Sequence, residues 1–225
     1  EFVLYQRTDL LPERNVSSFR RLLIRLGLMS DGYKNFVKSV AADDKNGIDE
    51  KYSQTMKEKV DSIAKFIPSN TSSVLDIGCG IAALDIYLDK LLSPSQIFLL
   101  DKTETEDKIW YMFESKGAFY NSLELAKETL ELNGVLASKV KLIEAPEDGR
   151  IALPDKSVDL IISTISWGFH YPINIYIQSV FDIISDNGLL IIDVRKGSGG
   201  IAELEEWFDV MVINEIGNVQ TVKCL

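Results

Sequence analysis

Residues 73–88 constrain the fold of this chain more than any other stretch. Residues 74–77 form a short aliphatic and β-branched run that is typical of a buried strand. Gly78 and Gly80 interrupt this run, and apolar residues then recur with helical spacing from residue 81 to residue 91. Glycines let the backbone approach a bound molecule, and the start of a helix adds free N–H groups. This succession of strand, glycine turn and helix therefore predicts a ligand-binding corner.

Two classes of ligand use such a corner, and one acidic residue separates them. Gly78, Gly80 and Ala83 fit the dinucleotide fingerprint, with Asp101 as the acidic residue about twenty positions further on. The same stretch also contains the pattern Asp76-x-Gly78-x-Gly80. A carboxylate before the first glycine repels a pyrophosphate but attracts the sulfonium and ammonium groups of S-adenosylmethionine (SAM). Asp76 therefore favours SAM over a dinucleotide.

The overall composition narrows the cellular setting and the partners. The chain has 225 residues and a formal net charge of −10, which disfavours binding of nucleic acid through a general basic surface. No apolar run approaches the roughly 20 residues of a membrane helix, and the start lacks a signal pattern. Cys79 and Cys224 fit neither a disulfide framework nor a zinc spacing. We therefore expect a cytoplasmic protein with no metal site and no membrane span.

Buried strands and helices alternate along the rest of the chain. Further strands are predicted at residues 97–101, 140–144, 158–162 and 188–194, with an antiparallel pair at 210–214 and 219–224. Further helices are predicted at residues 17–28, 48–67, 119–132, 172–184 and 201–208. The predicted fold class is α/β, a Rossmann-like, seven-stranded, mostly parallel sheet with helices on both faces. Residues 1–69 are predicted to be an N-terminal helical extension, and residues 70–225 the ligand-binding domain.

Four motifs in order resemble those of class I SAM-dependent methyltransferases. They are Asp76-x-Gly78-x-Gly80, then Asp101, then Leu153-Pro154 with Asp159, and finally the Asn187-Gly188 turn into the fifth strand. The resemblance covers residues 70–225 and implies SAM as the cofactor, with the first motif around the methionine moiety. Ala82 is a departure, because many members of the superfamily carry a third glycine there.

Further cofactor-binding residues are expected after the second, third and fourth strands. Asp101 ends the second strand, where a carboxylate can accept hydrogen bonds from two ribose hydroxyls; the alternative is a helix cap or a surface turn. The resemblance places the loop with Glu147 and Asp148 beside adenine, although a solvated acidic turn is an equal alternative. The predicted cofactor-binding set is completed by Cys79, Lys102 and Ser163. An aromatic group at residues 110–113 either covers part of the cofactor or fills the core.

A predicted loop at residues 163–172 holds the only histidine of the chain, His170. Transfer of a methyl group to a hydroxyl needs a base, and histidine is the side chain whose unperturbed pKa suits that task near neutrality. We therefore predict His170 as the catalytic base; the alternative is a histidine that only positions the acceptor or bonds to backbone. Trp167 and Tyr171 are predicted to stack on a sugar ring, or else to belong to the core.

The amino-acid sequence of this loop is also similar to that in a group of bacterial methyltransferases associated with sugar and surface-polysaccharide modification. Arg195 follows the fifth strand in a glycine-rich loop that suits an anionic acceptor such as a nucleotide sugar. The prediction is thus an O-methyltransferase acting on a small polar acceptor, and a homodimer is expected. The alternatives are an NAD-linked oxidoreductase and a non-catalytic methyltransferase-like module that binds a partner.

Overall fold

The computed structural model describes residues 3–4, 10–12, 17, 32–105 and 120–225. Residues 18–28 of the first predicted helix and the aromatic group at 110–113 lie outside these ranges. Of the helices that are described, none is long and apolar enough to cross a membrane.

The described residues form ten strands and six α-helices. In chain order the strands are β1 (Ser73–Ile77), β2 (Gln96–Asp101), β3 (Glu104–Thr105), β4 (Tyr120–Asn121), β5 (Val140–Glu144), β6 (Val158–Ser163), β7 (Ser166–Tyr171), β8 (Ile184–Arg195), β9 (Val210–Ile216) and β10 (Val219–Cys224). The helices are α1 (Tyr33–Asp43), α2 (Lys45–Ile63), α3 (Ala83–Leu92), α4 (Leu123–Leu132), α5 (Ile177–Ile183) and α6 (Gly200–Glu205).

Seven of these strands form one sheet in the order β5-β2-β1-β6-β8-β10-β9. The first five strands in this order, β5, β2, β1, β6 and β8, pair with their neighbours in parallel, and β10 runs antiparallel to both of its neighbours. The chain moves outward from β1 through β2 to β5 and then returns to β6 on the other side of β1. The carboxyl ends of β1 and β6 are therefore the topological switch point, where sheets of this kind bind ligands. The predicted seven-stranded, mostly parallel α/β fold is confirmed.

Alternate residues of the central strands face opposite layers of helices, as the two-residue period of a strand requires. One cluster packs α2 and α3 on the sheet through Met56, Val60, Ile63, Leu84, Leu88, Val74, Leu160 and Ile191. The opposite cluster packs α5 on the sheet through Ile177, Val180, Leu75, Ile161, Leu190 and Ile192. Each central strand is buried on both faces, which explains why these strands are continuous apolar runs in the sequence.

A buried ion pair joins α2 to the far half of the sheet. Lys59 Nζ lies 2.6 Å from Asp193 Oδ1 and 2.8 Å from Thr221 Oγ1. Thr221 Oγ1 also donates to Asp193 Oδ1 at 2.6 Å, and Asp193 is 1% exposed. Because a buried carboxylate needs a charged or hydrogen-bonded partner, these contacts tie α2 to β8 and β10.

Asp159 fastens the amino ends of β1 and β6, at the edge of the sheet opposite the glycine turn. Its Oδ2 accepts hydrogen bonds from Ser72 N at 2.9 Å, Ser73 N at 3.0 Å and Ser73 Oγ at 3.0 Å. Its Oδ1 accepts from Ser185 Oγ at 3.3 Å. Partial burial opposes ionisation, but these hydrogen bonds outweigh it and hold the pKa of Asp159 below its usual value. The role of this motif residue is therefore structural.

We expect Asp159→Ala to lower the free energy of unfolding by about 1 to 2 kcal/mol at neutral pH, because two backbone donors at the start of β1 lose their acceptor. Asp159→Asn, which keeps one acceptor oxygen, should lie between wild type and the alanine variant. The folded-state pKa is depressed, so the wild-type advantage should be lost as the pH falls through that pKa. Urea unfolding at neutral and acidic pH measures both effects, and equal stability of all three proteins would contradict this role.

Three predicted elements were wrong in their type or their bounds. The helix predicted at 119–132 begins only at Leu123, because Asn121 pairs with Glu104 across β3 and β4, and Ser122 Oγ caps the helix by accepting from Leu125 N. The loop predicted at 163–172 contains strand β7, which lies outside both sheets and packs on β8. The helix predicted at 172–184 is a 3₁₀ turn at Ile173–Ile175 followed by the shorter α5.

Smaller differences concern helix ends and the fifth buried strand. Strand β8 begins at Ile184, which pairs with Val158, so Asn187 and Gly188 lie within a strand and do not end a helix. Helix α2 begins before residue 48, because the Asp44 side chain caps it by accepting from Gly47 N. The helix predicted at 201–208 is α6, which ends at Glu205. None of these differences alters the sheet order.

Candidate functional site

The glycine turn lies at the switch point and takes left-handed backbone angles. Gly78, Gly80 and Ala82 have φ values of 79°, 57° and 57°. Gly78 N donates to Leu100 O at 2.7 Å, and Ala82 N donates to Cys79 O at 2.8 Å. Ala82 stands where the resembling methyltransferase motif often has a third glycine, and a non-glycine residue in this conformation costs roughly 1 to 2 kcal/mol. The departure from the motif is thus accommodated as local backbone strain at the start of α3.

Gly78 is required by close contact as well as by its backbone angle. A Cβ atom at this position would lie 1.9 Å from Ser166 Oγ and 2.3 Å from Ser166 Cβ. The first residue of β7 therefore rests directly on the glycine turn. The connection after β6 and the turn after β1 form one packed unit at the switch point.

Asp101 holds this turn from the end of β2. Its Oδ2 accepts from Gly80 N at 2.8 Å, and its Oδ1 accepts from Lys102 N at 2.7 Å. Burial raises the pKa of Asp101 to about 6 against the opposing effect of these two hydrogen bonds, and the charge of Glu144 contributes to the rise. Each carboxylate oxygen has a second lone pair, so Asp101 can still accept hydrogen bonds from a ligand.

Two buried carboxyls, Asp76 of β1 and Asp85 of α3, lie close enough together beneath the turn for each to affect the pKa of the other. Asp76 is 2% exposed and Asp85 is fully buried. In the described part of the chain, Asp76 Oδ1 and both oxygens of Asp85 have no hydrogen-bond partner. Burial, and then the nearby Asp85, raise the pKa of Asp76 well above its usual value. Burial also raises the pKa of Asp85, to about 7.

Asn121 is a further polar residue at this end of the sheet. Strand β4 brings it beside Asp101, close enough to help lower the pKa of that carboxyl. It is 3% exposed, and within the described ranges neither its Oδ1 nor its Nδ2 has a hydrogen-bond partner of good geometry. Sequence reasoning missed both Asp85 and Asn121. The available signal for Asp85 was a single acidic residue in the first turn of an otherwise apolar helix.

Ser163 fixes the connection between β6 and β7. It is fully buried, and its Oγ donates to Ile77 O at 2.8 Å and accepts from Trp167 N at 3.1 Å. The Ser163 hydroxyl is therefore engaged within the protein, and its proton is not available to donate to a cofactor. Its observed role is to join the ends of β1 and β6.

Trp167 lies in the core, which is the second of the two alternatives that the sequence left open for it. The indole is fully buried, Nε1 donates to Ile173 O at 3.0 Å, and the ring meets Tyr176 edge-on at 6.1 Å. Tyr171, at the end of the same strand, is half-buried and keeps some exposed surface. Strand alternation does not explain this difference in exposure, because Trp167 and Tyr171 lie on the same side of a regular strand.

His170 and Arg195 meet around Phe169. His170 is exposed, and its ring meets the Phe169 ring edge-on at 5.1 Å. Arg195 Nε donates to Phe169 O at 2.9 Å, and its guanidinium carbon lies 4.4 Å from the centre of the Phe169 ring. Partial burial, and then the charge of Arg195, lower the pKa of His170. Arg195 thus clamps β7 to the end of β8, which is a different role from the predicted contact with an acceptor.

The remaining predicted residues lie at the same edge of the sheet. Glu147 and Asp148 are exposed in the turn after β5, and Asp148 Oδ1 accepts from Arg150 N at 3.0 Å. Lys102 is exposed beside Asp101, and the Cys79 thiol is buried within the turn, where burial and the nearby Asp101 raise its pKa. The structure therefore brings Asp76, Gly78, Cys79, Gly80 and Asp101 together, and it adds Asp85 and Asn121 to them.

Comparison with known proteins finds solved structures with a similar fold. No protein-family model and no curated protein matches this chain. A precorrin-6y C5,15-methyltransferase from Geobacter metallireducens GS-15 is similar in structure, with a TM-score of 0.52, 20% identity and coverage of 74% of this chain and 86% of that chain. A SAM-dependent methyltransferase from Aquifex aeolicus has a TM-score of 0.53, 19% identity and coverage of 75% and 88%.

The structure of M. jannaschii TYW2 in complex with AdoMet (SAM) is a third similar structure. Its TM-score is 0.50 at 18% identity, and the match covers 74% of this chain and 72% of that chain. Together with the strand order, these likenesses show that the chain has the Rossmann-like fold of class I methyltransferases.

Proposed function

We propose that this protein binds SAM and transfers its methyl group to a hydroxyl of a small polar acceptor. The observation that carries the proposal is a set of buried polar atoms, on Asp76, Asp85 and Asn121 at the switch point of this fold, that have no hydrogen-bond partner among the described residues. Such atoms cost free energy unless a ligand satisfies them. A ligand with an ammonium group and ribose hydroxyls supplies the donors and the acceptors that these side chains lack.

The site residues divide between the two ends of such a ligand. Asp76 would face the methionine moiety, and Gly78 and Gly80 allow its close approach to the backbone. Asp101 and Asn121 would hold the ribose end, since a carboxylate and an amide side by side offer both acceptors and a donor. When bound, SAM supplies an electrophilic methyl group attached to a sulfonium.

His170 would take the proton from the acceptor hydroxyl. Its lowered pKa keeps the imidazole neutral at neutral pH, which is the form that a general base requires. Its position near the end of β7, next to Phe169 and close to Arg195 at the carboxyl end of β8, supports this role. Packing of Phe169 between Arg195 and His170 would restrict the orientation of the imidazole.

A sugar or sugar nucleotide is the acceptor class that we propose to test first. The net charge of −10 argues against nucleic acid as the acceptor. Two cations near the end of β8 are already engaged, Arg195 with Phe169 O and Lys196 with Glu215. Neutral sugars should therefore be tested beside their phosphorylated and nucleotide-linked forms.

An NAD-linked oxidoreductase is the main alternative that uses the same corner. The pyrophosphate of a dinucleotide would meet the carboxyls of Asp76, Asp85 and Asp101, and like charges repel strongly where water is excluded. A non-catalytic module that binds a partner would also satisfy the fold, but it gives no reason for the unpartnered polar atoms beneath the turn.

Calorimetric titration with S-adenosylhomocysteine (SAH), with NAD as the control, tests the proposed cofactor. We expect micromolar binding of SAH and none of NAD, followed by methyl transfer from radiolabelled SAM to a panel of sugars. The reverse order of affinities would favour the oxidoreductase. Tight SAH binding without turnover on any acceptor would favour the non-catalytic module.

Asn121→Ala should weaken SAH binding by roughly three- to tenfold, the worth of one neutral hydrogen bond. Asn187→Ala is a matched control, because Asn187 is exposed at the amino end of the neighbouring strands, away from the site. Calorimetry on both variants measures the difference. Equal affinities would show that Asn121 does not contact the ligand.

A further inference from the structure

Asp85 occupies a position that the fold does not explain. It lies in the first turn of α3, and its neighbours Ala83, Leu84 and Ile86 are buried apolar residues. A carboxylate among such residues is costly unless it is paired with a cation or hydrogen-bonded. Both of its oxygens are without a hydrogen-bond partner in the described structure, and the other titratable group that affects its pKa is the carboxyl of Asp76.

The surroundings supply negative charge to this pair. Asp101 at the end of β2 adds to the rise in the pKa of Asp76, and the Cys79 thiol of the turn is itself held neutral by burial. The lysines with described ion pairs on the elements around α3 engage other acids: Lys59 of α2 with Asp193, Lys127 of α4 with Glu131, and Lys139 before β5 with Asp89.

Two adjacent buried carboxyls in such surroundings cannot both be ionised at low cost, so one proton shared between them is the stable arrangement. With that proton in place the pair carries a single negative charge, and one carboxyl donates a hydrogen bond to the other. A cation that binds both carboxyls would make the proton unnecessary.

We propose that Asp76 and Asp85 form a proton-sharing pair in the ligand-free protein, and that the α-ammonium of SAM binds both carboxylates in exchange for that proton. This inference rests on the proposed function for the identity of the ligand. The exchange is balanced: the pair loses one proton to solvent, gains one ammonium, and keeps the same net charge. Asp85 is then a positioning and specificity residue for the amino-acid end of the cofactor.

The exchange makes cofactor affinity depend on pH in a definite direction. Below the pKa of the pair, each ligand that binds must displace a proton, so affinity rises with pH. Burial raises the pKa of Asp85 to about 7, and burial together with the charge of Asp85 raises the pKa of Asp76 well above its usual value, so the shared proton is still present at neutral pH and the dependence should continue above about pH 7. Asp101, with a pKa of about 6, is largely ionised at neutral pH and adds little to this effect.

The test is calorimetric titration of the wild-type protein and Asp85→Asn with SAH, in two buffers with different enthalpies of ionisation. Near neutral pH the wild-type protein should release about one proton per SAH bound. Asp85→Asn should release fewer protons than the wild-type protein near neutral pH, bind SAH about tenfold more weakly above neutral pH, and depend less on pH there. Above neutral pH, where Asp101 is already ionised, methylthioadenosine, which has the ribose but no ammonium, should release no proton from either protein.

A second measurement uses the wild-type protein alone, in case the variant does not fold. Infrared difference spectra should show that the C=O stretch of a protonated carboxyl disappears when SAH binds. Binding of SAH without proton release and without loss of this band would overturn the exchange while leaving the proposed function intact. No binding of SAH at any pH would overturn the proposed cofactor and the exchange with it. Proton release with methylthioadenosine would assign the proton to the ribose end, and would overturn the role of Asp85.

Discussion

Replacing His170 by alanine should lower the rate of methyl transfer by about 10²- to 10⁴-fold, the usual contribution of a general base. Because His170 is exposed on β7 and makes no described hydrogen bond to the glycine turn, SAH affinity should stay within about twofold of wild type. Single-turnover rates and SAH titrations separate the two effects. Partial recovery of the rate by added imidazole would support a missing base over a disturbed loop.

The chain contains one histidine, so its ionisation can be followed directly by imidazole NMR signals. Partial burial and Arg195 lower the pKa of His170, so the rate should rise with pH through a value below 6.5 and be level at neutral pH. Arg195→Gln removes a positive charge and should move the NMR pKa and the rate profile upward together. Full activity of His170→Ala would exclude the base and favour an amine acceptor for which proximity is sufficient.

The sheet and the glycine turn were predictable because their signals are local. Continuous aliphatic runs such as residues 74–77 are buried on both faces wherever a parallel sheet is covered by helices. The turn has left-handed backbone angles, and the glycines at 78 and 80 predict them because glycine adopts such angles readily. Asp76 and Asp101 could be placed because they stand at fixed distances from this turn.

The missed parts depend on packing between residues far apart in the chain. Asn121 is buried because β3 and β4 pair across residues 106–119, and a helical reading of 119–132 hides that pairing. From the sequence, Arg195 was expected to be a cation available to an acceptor, whereas in the structure β7 brings the Phe169 carbonyl and ring against it. The burial of Trp167 likewise follows from the contact of β7 with β8, which no local pattern signals.

Asp101→Asn should weaken SAH binding by roughly a hundredfold, about 3 kcal/mol, because ribose hydroxyls lose a charged acceptor and an amide NH₂ takes its place. In the wild-type protein burial raises the pKa of Asp101 to about 6, and only the ionised carboxylate accepts from both hydroxyls. Wild-type affinity should therefore fall more steeply below about pH 6, and the variant should lack this additional fall. Asp155→Asn, at an exposed site before β6, controls for the loss of one negative charge.

The same substitution distinguishes a cofactor contact from a purely structural role. Asp101 accepts from Gly80 N and Lys102 N, and asparagine can keep only one of these bonds. The pKa of Asp101 is higher in the folded protein than in the unfolded chain, so ionisation of Asp101 lowers stability as the pH rises from its unfolded pKa through about 6. Asparagine does not ionise, so it removes this cost and offsets the lost hydrogen bond. The free energy of unfolding without ligand should therefore change by about 1 kcal/mol or less. A large loss of stability with unchanged SAH affinity would make Asp101 a clamp for the turn and not a ligand for ribose.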